Sequence, residues 1–229
     1  MDPVAPPASE AALMENAAAV AGLSVAELAR QLGRDLPPDP RRAKGFVGQL
    51  VEAALGASAG SLPEPDFQLI GVELKTVPVG PAGLPVESTY VCTVPLEPGA
   101  DTAHWEHCNV CVKLARVLWL PVEADPQVAP AERRIGNAVL WSPDPDEERA
   151  LKADWEELMD LVLTGRVAEI TAHQGVCLQV RPKAADSRAR RWGVDEAGHR
   201  VRTLPRGFYL RPGFTGAILR RRYAGLGSI

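Results

Sequence analysis

Apolar positions follow a helical period in some stretches of the chain and a strand-like pattern in others. At about 100° per residue, Phe46, Val47, Leu50, Val51, Ala54 and Leu55 fill one broad face, which predicts a helix stopped by Gly56. Leu151, Trp155, Leu158 and Val162 fall at i, i+4, i+7 and i+11, predicting a helix over 147–164 that Gly165 ends. Its polar face is acidic, unsuited to a polyanion and suited to a partner protein. Ser9 is placed to cap a first helix running to about residue 20. Ser24 and Glu27 form a capping box, Leu23 and Leu28 are spaced as a hydrophobic staple, and Gly33 closes that second helix. A last helix is predicted near 215–223. Strands are predicted over 72–79, 89–96, 112–122, 167–173 and 176–181, while 202–211 mixes basic and aromatic residues at strand spacing. No internal repeat is visible.

One predicted strand carries candidate chemistry. The stretch Asp66-Phe67-Gln68-Leu69-Ile70-Gly71-Val72-Glu73-Leu74-Lys75 sets an acid, a second acid and then a lysine. On a strand over 72–79, Glu73 and Lys75 point to one face, and Val72, Leu74 and Val77 are the apolar positions that hold it in a core. Two carboxylates can bind a divalent cation, and a lysine beside it can orient or deprotonate a water; that is the kit for cutting a phosphodiester. The same residue types coincide by chance in many chains, so the spacing alone also fits a solvated surface. Glu52 lies just off the apolar face of the 46–55 helix, beside the space left by Gly48. It is a candidate further acid, against the plainer alternative of a solvated helix glutamate.

Other chemistries find little support. There is no Gly-rich phosphate loop ending in Lys-Ser/Thr, no Gly-x-Ser-x-Gly and no His-Glu-x-x-His. His104-Trp105-Glu106-His107-Cys108-Asn109-Val110-Cys111 offers zinc-ligand types, but ligands packed into one such short run rarely close a tetrahedron. The four cysteines suggest no disulfide framework, and no run of about 18 apolar residues occurs, so a cytoplasmic protein with free thiols and no membrane span is expected. The net charge is −4, yet residues 164–229 hold 13 basic and 4 acidic residues, leaving 12 basic and 25 acidic for 1–163. A basic third on an acidic chain points to a surface that meets a polyanion; the alternative is salt bridging between the two halves.

The segments Lys44-Gly45-Phe46-Val47-Gly48, Leu55-Gly56-Ala57-Ser58-Ala59-Gly60-Ser61, Pro65-Asp66 with Gly71-Val72-Glu73-Leu74-Lys75-Thr76, Arg116-Val117-Leu118-Trp119, Asp154-Trp155-Glu156-Glu157-Leu158-Met159, Arg181-Pro182-Lys183-Ala184 and Leu204-Pro205-Arg206-Gly207-Phe208-Tyr209-Leu210 together resemble the MutH family of DNA mismatch repair endonucleases. The resemblance runs from about residue 10 to the last predicted helix. It implies an α/β (α+β) restriction-endonuclease-like core, a mixed sheet flanked by helices, with two lobes around a DNA cleft. Residues 1–229 would then form one endonuclease domain, its N-terminal lobe catalytic and its C-terminal lobe basic. It further implies Mg²⁺-dependent nicking of the unmethylated strand at hemimethylated GATC, by a monomer activated by a MutL-type protein after MutS finds a mismatch.

Carried onto matching positions, the resemblance makes Asp66, Glu73, Lys75, Glu52 and Lys113 catalytic, with Asp66 and Glu73 on the metal. It gives Lys44, Gly45, Arg181, Pro182, Lys183, Arg206 and Tyr209 to DNA, with Tyr209 near the adenine methyl position. An arginine can bond a guanine edge in two places, and an adenine N6 methyl protrudes into the major groove, where an aromatic wall would clash with it. The 104–111 segment and the arginine-rich 188–191 run lie outside these motifs. The alternatives are a GATC restriction enzyme cutting both strands and a catalytically silent DNA-binding module.

Overall fold

The computed structural model describes residues 4–38, 45–60, 62, 64–97, 99, 102, 104–171, 173–183 and 189–224. The chain divides into two compact units, one of residues 1–87, 116–142 and 218–229, the other of 88–115 and 143–217.

In the first unit, the helices Glu10–Val20 (α1), Val25–Gln31 (α2) and Phe46–Leu55 (α3) begin and end where the local sequence dictates. The Ser9 hydroxyl accepts from Ala12 N at 3.2 Å, and Ser24 and Glu27 close both halves of the capping box at 3.2 and 2.7 Å. These donors would otherwise lack partners in the first helical turn, and such a cap is worth about 1 kcal/mol. Glu73–Val79 (β1) pairs in parallel with Val117–Glu123 (β3), which pairs antiparallel with Val139–Trp141 (β4). The result is a mixed sheet with β3 in the middle. Six of the seven β3 residues are buried, as a strand covered on both faces requires. Leu13, Leu50, Leu55, Phe67, Leu118 and Leu120 interlock beneath that sheet.

In the second unit, Thr89–Thr93 (β2) and Leu178–Pro182 (β5) flank Arg206–Leu210 (β8), both antiparallel to it. Arg191–Val194 (β6) and Arg200–Thr203 (β7) form a separate hairpin. The helix Pro145–Leu163 carries Asp154 on its apolar stripe, between Leu151 and Leu158. Asp154 is buried, and its carboxylate accepts from Val176 N at 2.9 Å, Cys177 N at 2.6 Å and Leu178 N at 2.7 Å. Gly175 makes this turn possible: with φ +75°, an added Cβ would lie 2.0 Å from the Leu178 carbonyl oxygen.

Two predicted strands are corrected. The stretch 112–122 divides into a short helix, Asn109–Leu114 (α4), and β3. Val110 and Leu114 are buried at a helical i, i+4 spacing, and the Cys108 Sγ caps the helix by accepting from Cys111 N. The stretch 167–173 is a 3₁₀ turn, Val167–Glu169, followed by a polar turn in which Thr171 N donates to Gln174 Oε1 at 2.7 Å. That amide is therefore satisfied without a strand partner. The helix Pro145–Leu163 is α5 and the final helix, Pro212–Ala224, is α6. Strands β4 and β6 were not predicted.

Candidate functional site

The acidic stretch folds back on itself to assemble its side chains. Phe67 N donates to Val72 O at 2.9 Å and Val72 N to Phe67 O at 3.3 Å, closing a tight loop that returns Asp66 to the start of β1. Its Oδ2 accepts from Leu74 N at 2.8 Å. Glu73 is buried, and its Oε1 lies 2.6 Å from Lys75 Nζ, so alternation along β1 does place both on one face.

The neighbouring helix α3 brings Glu52 to the same strand. A Cβ added at Gly48 would stand 4.0 Å from both Glu52 Oε1 and Thr76 Oγ1, in ordinary van der Waals contact, so the Glu52 carboxyl and the β1 residue Thr76 lie on the same side of α3. Burial holds the Glu52 carboxyl above its ordinary range, and the negative charges of Asp66 and Glu73 push it further up. Three carboxyls and one lysine thus share a neighbourhood whose formal charge is negative when all ionise, the electrostatic setting that a divalent cation relieves. Among the described residues no group of three or more His, Cys, Asp and Glu side chains is arranged to hold a metal ion.

Arg116 supports β1 from the position just before β3. Its carbonyl accepts from Glu73 N at 2.9 Å, while its guanidinium forms a two-point bond to the Glu10 carboxylate of α1 at 2.7 and 2.5 Å. Lys113 belongs to α4 in the second unit, not to the start of a strand as expected. Gly45 is the exposed N-cap of α3 with φ 90°, and Lys44 lies outside the described residues.

In the second unit, one face of the sheet gathers Arg181, Lys183 and Tyr209. Arg181 pairs with Gly207 and Gln179 with Tyr209 in the β5–β8 register. The Arg181 guanidinium lies 5.8 Å from the Tyr209 ring centre, and Lys183 Nζ lies 3.4 Å from that of Tyr90. Tyr90 meets Tyr209 edge-on at 5.4 Å. Gly207 leaves space for both, since a Cβ there would lie 3.0 Å from each ring. Ser88 Oγ accepts from Gln179 Nε2 at 2.7 Å and from Arg181 Nη1 at 3.4 Å, orienting the polar rim. Sequence patterning missed Tyr90 and Ser88; their only signal was a short strand rich in Thr and Tyr. Arg206 alternates to the opposite face, shared with Phe208 and Leu210, and pairs with Pro182 across the strands. Its Nε is buried without a hydrogen-bond partner, and desolvation lowers its pKa.

A helix-flanked mixed sheet with one acid and a lysine on β1 and a second acid looped back to its start is the architecture of the restriction-endonuclease-like fold. The family described as "DNA mismatch repair enzyme MutH" matches residues 55–154. Relatives named DNA mismatch repair protein MutH align over nearly the whole chain. The Yersinia enterocolitica protein is 51% identical over 221 residues, 96% of each chain. That of Vibrio cholerae is 50% identical over 218 residues, covering 95% of this chain and 98% of its own. The Photorhabdus laumondii protein is 49% identical over 221 residues, 96% of each. The chain belongs to the MutH family of DNA mismatch repair proteins. No helix among its described residues is long and apolar enough to cross a membrane.

Proposed function

We propose that this chain is a Mg²⁺-dependent DNA endonuclease of the cytoplasm that nicks the unmethylated strand at hemimethylated GATC sites when a MutL-type protein activates it. The observation that carries this reading is the convergence of Glu52, Asp66 and Glu73 with Lys75 beside β1. Asp66 and Glu73 would hold Mg²⁺, which when bound supplies neutralising charge to the scissile phosphate and acidifies a water. Lys75, aligned by Glu73, either orients the attacking water and as an ammonium offsets charge on the phosphate oxygens, or, in its neutral form, takes the water's proton and becomes that ammonium. The Leu74 amide fixes the Asp66 carboxylate in place before substrate arrives. Glu52 is the further acid of this set, its carboxyl held above its ordinary range by burial and by the charges of Asp66 and Glu73.

Recognition falls to the other unit. Arg181 and Lys183 reach guanine edges or adjacent phosphates, and Tyr209 walls the position that an adenine N6 methyl would enter. One excluded methyl is worth about 1–3 kcal/mol, roughly ten- to 200-fold in rate. The test is a nicking assay on hemimethylated, unmethylated and fully methylated GATC plasmids, with and without the activator. Strand-selective nicking that requires Mg²⁺ is expected. Double-strand cleavage without the activator would indicate a restriction enzyme, and indifference to adenine methylation would remove the reading altogether.

A further inference from the structure

The hairpin β6–β7 lies outside everything assigned so far. Its register sets Trp192 opposite Arg202 and Val194 opposite Arg200, so Trp192, Arg200 and Arg202 share one face. On the other face Gly193 is tightly packed: a Cβ there would meet Thr203 Cγ2 at 3.1 Å and the Leu96 carbonyl oxygen at 3.2 Å. The outward face is exposed, with Trp192 43% accessible. Arg200 and Arg202 place their guanidinium carbons 4.8 and 5.0 Å from the Trp192 ring centre. Exposed Arg190 and Arg191 border the same open cavity of about 470 Å³, together with Trp192 and Arg202. Glu97 lies 2.7 Å from Arg200; among the described residues Arg202 has no ion pair.

Contact with the Trp192 ring limits the wandering of two long side chains, lowering the entropy lost when each engages an anion; Arg200 Nε meanwhile donates to Glu97 at 2.7 Å. We infer that the Trp192–Arg200–Arg202 ladder is a backbone clamp for duplex DNA, gripping phosphates that flank the recognition sequence without reading bases. This rests on the endonuclease reading above. Only three peptide steps separate Thr203 of β7 from Arg206 of β8, a span of at most about 11 Å. At ~3.4 Å per base pair, the clamped phosphates lie within a handful of base pairs of the sequence read by the β5–β8 face.

The experiment measures affinity for a hemimethylated GATC duplex and a scrambled duplex of equal length, between about 50 and 200 mM salt. Arg202→Ala should weaken both complexes by the same factor, about threefold to tenfold, and flatten the log–log salt slope by about 0.9. Arg202→Lys should keep the slope and lose part of the affinity. Glu97→Gln, which releases Arg200, should strengthen both. Thermal melts keep folding failure separate, since both positions are on the surface. Unchanged affinity and slope in Arg202→Ala would overturn the clamp, as would a loss confined to the GATC duplex. Unchanged DNA binding with lost response to the activating protein would overturn it too, reassigning the face to a protein partner. If wild-type protein never nicks GATC yet the variants shift as described, the endonuclease reading fails and the clamp stands. If wild-type protein nicks and the variants bind unchanged, only the clamp fails.

Discussion

Asp154 is the acid that the fold, not the chemistry, requires. Three backbone amides at the start of β5 converge on its buried carboxylate, and that strand presents Gln179 and Arg181. Asp154→Asn keeps the volume but leaves one acceptor oxygen and turns an amide donor toward amides that already donate. Losing a hydrogen bond to a charged group costs about 1.5–3 kcal/mol, and a buried N–H left unsatisfied costs about 1–3 kcal/mol. Cys177 N and Leu178 N both use Oδ2 and Val176 N reaches both oxygens, so an oxygen kept at the Oδ2 position leaves no amide orphaned and only the charge-assisted part is lost. The net destabilisation is then about 1.5–3 kcal/mol. For a chain of this length, each kcal/mol lowers Tm by about 2–4 °C, giving a fall of about 3–12 °C in a calorimetric or circular-dichroism melt. Because the second unit's strand is loosened at its start, GATC affinity measured well below Tm should fall more than Mg²⁺ affinity. A Tm within about 2 °C of wild type would refute the assignment of Asp154 as the anchor of β5.

Glu73→Ala is expected to abolish nicking while sparing DNA binding, with Glu73→Gln as the isosteric check; turnover in both would exclude Glu73 from the chemistry. Tyr209→Ser should narrow the rate difference between unmethylated and methylated GATC by about tenfold or more, and an unaltered ratio would remove Tyr209 from methyl sensing. Because burial and then Asp66 and Glu73 raise the Glu52 pKa above 4.5, its contribution to stability is present below that value and lost as pH rises through the folded pKa. Glu52→Gln should therefore raise Tm increasingly from about pH 4 to pH 8, and Mg²⁺ should shrink the gain; a pH-independent difference would contradict this. Burial pushes the Cys108 and Cys177 thiols up to about 11, so neither should react with a disulfide reagent at about pH 8 until the protein unfolds. Rapid labelling of either in the native protein would count against their burial.

Much of the molecule was legible where local chemistry governs. The caps of α1 and α2, the stop at Gly56 and the amphipathic stripes of α3 and α5 depend on neighbours within a few residues, and each formed as the pattern dictates. The Glu73–Lys75 pairing needed only the two-residue period of a strand. Prediction failed where an apolar run fits either period: Val110 and Leu114 are a helix's buried face although valines and leucines continue into β3. The acidic face of α5 read as a partner surface, yet Asp154 turns inward; its place on the Leu151–Leu158 stripe was the available sign. Tyr90 and Ser88 could not be paired with Tyr209 and Arg181 from sequence, because more than ninety residues of intervening chain leave strand partnership undetermined.

The division into two interleaved units has a consequence for how the protein comes into being. The unit that holds the carboxylates also contains Ile218 and Leu219, both buried, and Tyr223, whose hydroxyl donates to the Asn137 carbonyl at 2.6 Å. No contiguous stretch of message encodes that unit. During synthesis that unit stays incomplete until residues from 218 onward are made, a high-contact-order assembly that folds slowly. A nascent chain that stops short of α6 therefore carries Glu52, Asp66 and Glu73 in a unit that still lacks the buried Ile218 and Leu219.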